Sequence, residues 1–229
     1  MLDAVLLDWE NVLVDTADAR RHALRRALSE EGVRYAEPAD VAAYEWQGFA
    51  AESAGVLQRA GVMDATLAEL VVARATSAFA ERLGKGFVLL PGARELAERI
   101  QASSRLAIVT TATRSETEFM LRLAGLEAAA STIVSADDAT DAPPSPDAHR
   151  RALLQLARRR PLHPERVVAL VGTRAFLHSA RDAGVRTVSV GMPAHVAVGA
   201  DGALGNLSGV TIADIARAAG VAAVSERKS

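Results

Sequence analysis

Two acidic residues close the first apolar run of the chain: Ala4-Val5-Leu6-Leu7 is followed by Asp8, and Glu10 comes two residues later. A carboxylate at the end of a buried strand can attack an electrophilic centre such as phosphorus and form a covalent intermediate. A second carboxyl two residues on, pointing to the same side, can protonate a departing oxygen and then activate water. Further along, Leu106-Ala107-Ile108-Val109 ends in a pair of hydroxyls, Thr110 and Thr111. The plainer alternative is that Asp8 and Glu10 are loop groups capping the next helix, and that the threonines belong to a turn.

The elements that would position these groups follow from the hydrophobic pattern. Short apolar runs predict strands near Val5–Asp8, Leu106–Thr110, Thr132–Ser135, Val167–Val171 and Thr187–Val190, with a weaker one near Gly209–Ile212. Helical patterns fall between them, at about Ala93–Ser103, Ser115–Ala124, Ala148–Arg158, Ala175–Ala183 and Ile212–Ala219. Strands separated by helices of this length imply right-handed crossovers and a parallel sheet covered on both faces. In such a sheet, ligands sit at the carboxyl ends of the strands, where Asp8 and Glu10 fall.

One segment breaks the alternation. From Ala17 to Leu83 the pattern is helical throughout, over Arg20–Glu31, Ala39–Gln47, Ala51–Ala60 and Leu67–Leu83, with Pro38, Gly48, Gly61 and Gly84 as punctuation. We therefore expect an α/β, Rossmann-like parallel-sheet core made of residues 1–16 and 84–229, carrying an inserted all-helical cap over residues 17–83. Gly84-Lys85-Gly86 reads as the hinge between them.

Composition narrows the function classes. Half of the 229 residues are hydrophobic and the formal net charge is −2, with the charges interspersed, so neither a nucleic-acid footprint nor a polybasic membrane patch is expected. The chain has no cysteine, which removes disulfides, thiolate metal sites and thiol nucleophiles. No apolar run approaches the ~20 residues of a transmembrane helix. The first strand starts without a basic leader, so a cytoplasmic protein is expected. The five histidines show no metal-ligand spacing, and Lys85 and Lys228 are the sole lysines.

The run from Val5 to Thr16 resembles the nucleophile motif of the haloacid dehalogenase superfamily, D-x-D-G-T/V-L-x-D-S/T, through Asp8, Val12, Leu13, Asp15 and Thr16. Leu106–Thr111 is similar to the second motif, Pro143-Pro144-Ser145-Pro146-Asp147 to its K-P-x-P-D segment, and Val167–Thr173 with Ala180–Gly184 to the fourth motif and its helix. Leu90-Pro91-Gly92 resembles the segment that reopens the core after a helical cap. The likeness is strongest to β-phosphoglucomutase-like and phosphoglycolate phosphatase-like members. It implies Asp8 as nucleophile, Glu10 as acid/base, Thr110 and Thr111 as phosphate-binding, Mg²⁺ as cofactor on Asp8 and the Glu10 backbone carbonyl, and a small phosphorylated metabolite or related anion between cap and core. A protein partner is a further option.

The sequence departs from the pattern where the chemistry lies. Glu10 replaces the second Asp, and Asn11 replaces Gly, a change that Asn's tolerance of a left-handed backbone would accommodate. Pro143 stands at the lysine position and supplies neither charge nor donor. Val171 and Gly172 stand where the fourth motif places acids that hold Mg²⁺. Arg114 and Arg174 are the nearest candidates to supply the lost charge, with Lys85 and the acids Asp137, Asp138 and Asp141 as further loop groups. Trp46 and Phe49, beside Gly48, could face a substrate. The expectation is a pseudoenzyme-like site with weak or lost phosphatase or phosphomutase activity. The alternatives are an active enzyme working through an Asp8 aspartyl-phosphate with a rearranged site and, ranked last, a 2-haloacid dehalogenase.

Overall fold

In the computed structural model, residues 2–36, 46–141 and 145–221 are described. Six strands form one parallel sheet: β1 (Ala4–Asp8), β2 (Arg105–Val109), β3 (Thr132–Val134), β4 (Val167–Val171), β5 (Arg186–Val190) and β6 (Gly202–Leu204), in the order β3-β2-β1-β4-β5-β6. The first strand is therefore central, and every residue of β1 and of β4 is buried. Continuous burial is what a parallel sheet covered on both faces demands.

Alternate side chains feed the two layers. Val5, Leu7, Ile108 and Leu170 pack with α4 (Ala93–Ser103), α5 (Arg114–Ala124) and α8 (Ile212–Ala218). Leu6, Ala107, Val109 and Ala169 face the other way, onto α6 (Asp147–Arg159) and α7 (Arg174–Asp182). The fold is thus the α/β Rossmann-like architecture that the pattern predicts.

Between β1 and α4 lies the helical segment, with α1 (Ala17–Glu30), α2 (Phe49–Arg59) and α3 (Ala65–Gly86). The chain leaves and returns side by side: Val14 and Leu89 form an antiparallel bridge, and the Leu90 amide donates to the Leu13 carbonyl at 2.8 Å. Asp64 caps α3 by accepting from the amides of Thr66 and Leu67. The expected helix Ala39–Gln47 falls almost wholly on residues 37–45, outside the described ones; Trp46 and Gln47 themselves are not helical.

Two local expectations are corrected. Gly84-Lys85-Gly86 is the last turn of α3, not a hinge, and Lys85 there pairs with Glu81 at 2.6 Å. Residues 209–212 form no strand: Thr211 caps α8 in a reciprocal capping box with Asp214, and the sixth strand is the short Gly202–Leu204. Gly92, in the segment that restarts the core, has a structural reason to be glycine. Its φ is +82°, and a Cβ would lie 2.4 Å from the Leu207 carbonyl oxygen.

The α6–α7 contact carries a buried histidine. His149 Nδ1 lies 2.6 Å from Ser179 Oγ, whose own proton goes to the Ser145 carbonyl at 2.7 Å, so the imidazole donates. Burial pushes the His149 pKa down to about 3 from the usual 6.5. The neutral ring is favoured in the fold while the unfolded chain takes up a proton below 6.5. The resulting stability is therefore complete above pH 6.5 and is lost as pH falls toward 3, at up to about 1.4 kcal/mol per pH unit. Urea unfolding should show stability dropping between pH 7 and pH 5, with a smaller drop in His149→Gln. Equal slopes in the two proteins would refute this role.

Candidate active site

The site is built at the carboxyl end of β1, beside the point where the strand order reverses between β1 and β4. Immediately after Asp8, residues Trp9–Leu13 make a single π-helical turn. This widened turn brings Glu10 back over the strand end and buries Trp9 in the core. Short π segments of this kind recur at functional sites. The turn does not use the left-handed backbone expected of Asn11: among the described residues, every residue with positive φ is a glycine.

Asp8 is 2% exposed. Its carboxylate accepts long hydrogen bonds from Asn11 Nδ2, at 3.4 Å to Oδ1 and 3.3 Å to Oδ2, and from the Gly172 amide at 3.3 Å. Glu10 is also buried. Its Oε1 accepts from Thr16 Oγ1 at 2.6 Å and from Arg20 Nε at 2.5 Å, and Thr110 Oγ1 lies 3.5 Å from Oε2. The Thr110 hydroxyl accepts in turn from the Ala112 amide at 3.1 Å.

Arg20 is the residue that sequence reasoning missed. It projects from α1, is 1% exposed, and lies between two carboxylates of the sheet domain: Glu10, and Glu116 of α5 at 3.6 Å. Its guanidinium carbon stands 4.3 Å from the centre of the Phe79 ring, 5.2 Å from Phe49 and 5.6 Å from Trp46. Planar, weakly hydrated guanidinium suits such stacking. A signal for it exists in the sequence. Arg20 heads the buried stripe Arg20, Ala23, Leu24, Ala27, Leu28 of α1, so a charge sits in an apolar helical face.

A cleft opens over these groups, lined among others by Asp8, Glu10, Asn11, Arg20, Trp46, Gln47, Thr111 and Thr173. Of the residues singled out in the sequence, Asp8, Glu10, Thr110 and Thr111 come together here. Trp46 lines the cleft and meets Phe49 edge-to-face with ring centres 5.1 Å apart, while Phe49 is core. Arg114 does not reach the site: it pairs with Asp138 at 2.7 Å and donates to the Ile133 carbonyl. Asp137 accepts from the Arg114 amide and Asp138 from Ser135, so both serve the loop after β3. Arg174 is exposed at the start of α7 and is not among the residues lining the cleft, and Lys85 is held on α3. Pro143 lies outside the described residues.

Mg²⁺ asks for several hard oxygen ligands in near-octahedral array. Here Val171 is a buried apolar strand residue and Gly172 presents an N–H to Asp8, so neither adds a side-chain oxygen to Asp8 and the Glu10 backbone carbonyl. Among the described residues no group of three or more His, Cys, Asp or Glu could hold a metal ion. Among the described residues, the side chains present do not supply the acidic ligand set of the cofactor that the motif resemblance implies.

The fold and the placement of Asp8 at its central strand define a class. The chain belongs to the haloacid dehalogenase-like hydrolase family, whose pattern it matches over residues 5–190. It is similar to protein CbbY of Rhodobacter capsulatus, with 30% identity over 200 residues covering 82% of this chain and 84% of that one. A mutant CbbY from Rhodobacter sphaeroides, in complex with xylulose-(1,5)bisphosphate, superposes with a TM-score of 0.81 at 25% identity, over 94% of this chain and 99% of that one. The β-phosphoglucomutase of Clostridium difficile shares the fold, with a TM-score of 0.79 at 13% identity over 96% and 98% of the two chains. No helix among the described residues is long and apolar enough to cross a membrane.

Proposed function

We propose that this protein binds a small phosphorylated metabolite, of the sugar-phosphate class, in the cleft between a helical cap (residues 17–83) and the sheet domain, and that metal-dependent phosphoryl transfer there is lost or nearly lost. The observation that carries the reading is at the end of β4: buried apolar Val171 and Gly172, whose N–H donates to Asp8, stand where the motif places metal-holding acids, and phosphoryl transfer depends on such charge. Glu10 adds to it. Its carboxylate is engaged by Arg20 at 2.5 Å and by Thr16 at 2.6 Å, and it would have to leave those partners to reach a leaving group. The ligand class is supported by the bisphosphate held by the CbbY relative and by Thr111 and Thr173 lining the cleft.

A second reading has one observation in its favour. Asp8, Glu10 and Thr110 do converge, so an Asp8 aspartyl-phosphate with Glu10 as acid/base remains geometrically intelligible. It requires Arg20 to release Glu10 when a substrate enters. Binding is tested by calorimetric titration with sugar monophosphates, sugar bisphosphates and their unphosphorylated parents. Saturable heat from phosphorylated sugars alone is expected; no heat from any of them would remove the ligand part of the proposal.

A further inference from the structure

We infer that Asn11 and Gly172 form an interlocked pair that closes the cation position beside Asp8, with the Asn11 carboxamide taking the place of a metal ion. Two independent observations meet at this point. The first is electrostatic: Asn11 Nδ2 is directed at both oxygens of Asp8, at 3.4 and 3.3 Å, and the Gly172 amide reaches Oδ2 at 3.3 Å. Neutral donors therefore occupy the approach to the carboxylate that a hard cation would use. The second is steric: a Cβ on Gly172 would lie 2.4 Å from Asn11 Cβ, 2.6 Å from the Asn11 carbonyl oxygen and 2.8 Å from its carbonyl carbon. Contacts this short are not tolerated, so no side chain, acidic or otherwise, fits at position 172 while the π-turn carries Asn11 in this place.

The absence of an acid after β4 and the presence of Asn after Glu10 are then one structural fact. While the turn holds residue 11 in this place, position 172 must be glycine, because the backbone carbonyl of residue 11 as well as the Asn11 Cβ stands within 2.8 Å of a Cβ there. Without an acid at 172, the end of β4 contributes no second carboxylate beside Asp8, and the Asn11 amide and the Gly172 N–H donate to Asp8 there. Glycine at position 11 would remove the clashing Cβ and widen the backbone freedom of the turn, so that the carbonyl could rotate away from 172. The inference rests on Asp8 being the carboxylate of the family's site, and it is tested without substrate, so its failure is separate from failure of the hydrolysis or ligand readings.

The experiment is a Mn²⁺ titration followed by electron paramagnetic resonance, with thermal unfolding of the same proteins. Wild type should leave the free Mn²⁺ signal unchanged. Asn11→Gly with Gly172→Asp should bind Mn²⁺ at least tenfold more tightly, and adding Asp8→Asn should abolish that binding. In parallel, Gly172→Ala should lower Tm by about 5 °C or more in the native background, and by clearly less in an Asn11→Gly background. Asp8-dependent Mn²⁺ binding by wild type, a folded double variant that binds none, or an equal Gly172→Ala penalty in both backgrounds would each overturn the inference.

Discussion

Replacing Arg20 by Met is expected to destabilise the protein by about 3–5 kcal/mol, the usual loss when one partner of a buried ion pair is removed. The reason is the charge left behind. Glu10 and Glu116 are 7% and 8% exposed and share this one guanidinium. Methionine would fill much of the volume among Phe79, Phe49 and Trp46, so the loss would report the stranded carboxylates rather than a cavity. Arg20→Lys keeps the charge but not the planar group that stacks on three rings, and should lose less. Combining Arg20→Met with Glu10→Gln and Glu116→Gln should recover most of the loss, since unpaired amides are far cheaper to bury than unpaired charges. Urea unfolding at neutral pH measures all three. A drop below about 1 kcal/mol for Arg20→Met, the range of exposed pairs, would contradict the buried cluster.

That cluster also shows where reading a sequence stops. β1, β2 and β4 are legible because central parallel strands are apolar at every position, and the runs Val5–Asp8, Leu106–Val109 and Val167–Val171 read that way. β6 is a three-residue edge strand whose side chains are largely accessible, so no hydrophobic run marks it. Gly209–Ile212 looks more strand-like, yet the spacing Thr211-x-x-Asp214 is a helix start, and its capping box decides the outcome. Gly84 and Gly86 suggest a break because glycine weakens a helix interior, but within the last turn the penalty is small enough for packing of Phe79 and Leu83 to hold α3 through them.

The site divides in the same way. Asp8, Glu10, Thr110 and Thr111 lie on or next to strand ends, so their convergence follows once the sheet order is known. Arg20 meets Glu10 through a contact that depends on how α1 lies over the sheet, and a one-residue count along the chain does not reveal it. Arg114 illustrates the converse. It lies close to Thr110 in sequence, but Asp138 and the Ile133 carbonyl claim it. Asn11 and Gly172 are 161 positions apart, and their interlock is visible only when β1 and β4 are seen to be neighbours.

The other large effect is on rate. Relative to the motif pattern, the chain lacks the acids after β4 and the lysine replaced by Pro143. An electrostatic group aimed at transition-state charge is typically worth about 3 kcal/mol. Two such groups amount to roughly four decades in turnover. Of the two arginines lining the cleft, Arg20 is paired with Glu10 and Glu116 and Arg21 with Asp18, so neither restores the balance. A metal ion should not restore it either, because Asn11 and Gly172 donate to Asp8 and, among the described residues, no group of three or more His, Cys, Asp or Glu could hold one.

The most direct test is phosphate release from p-nitrophenyl phosphate and a panel of sugar phosphates, with and without Mg²⁺, by wild type and Asp8→Asn. Wild-type rates should not respond to Mg²⁺ and should match those of Asp8→Asn across the panel. Mg²⁺-dependent turnover that disappears in Asp8→Asn would contradict it, and would mean that Arg20 gives up Glu10 and that the site around Asp8 reorganises when substrate binds.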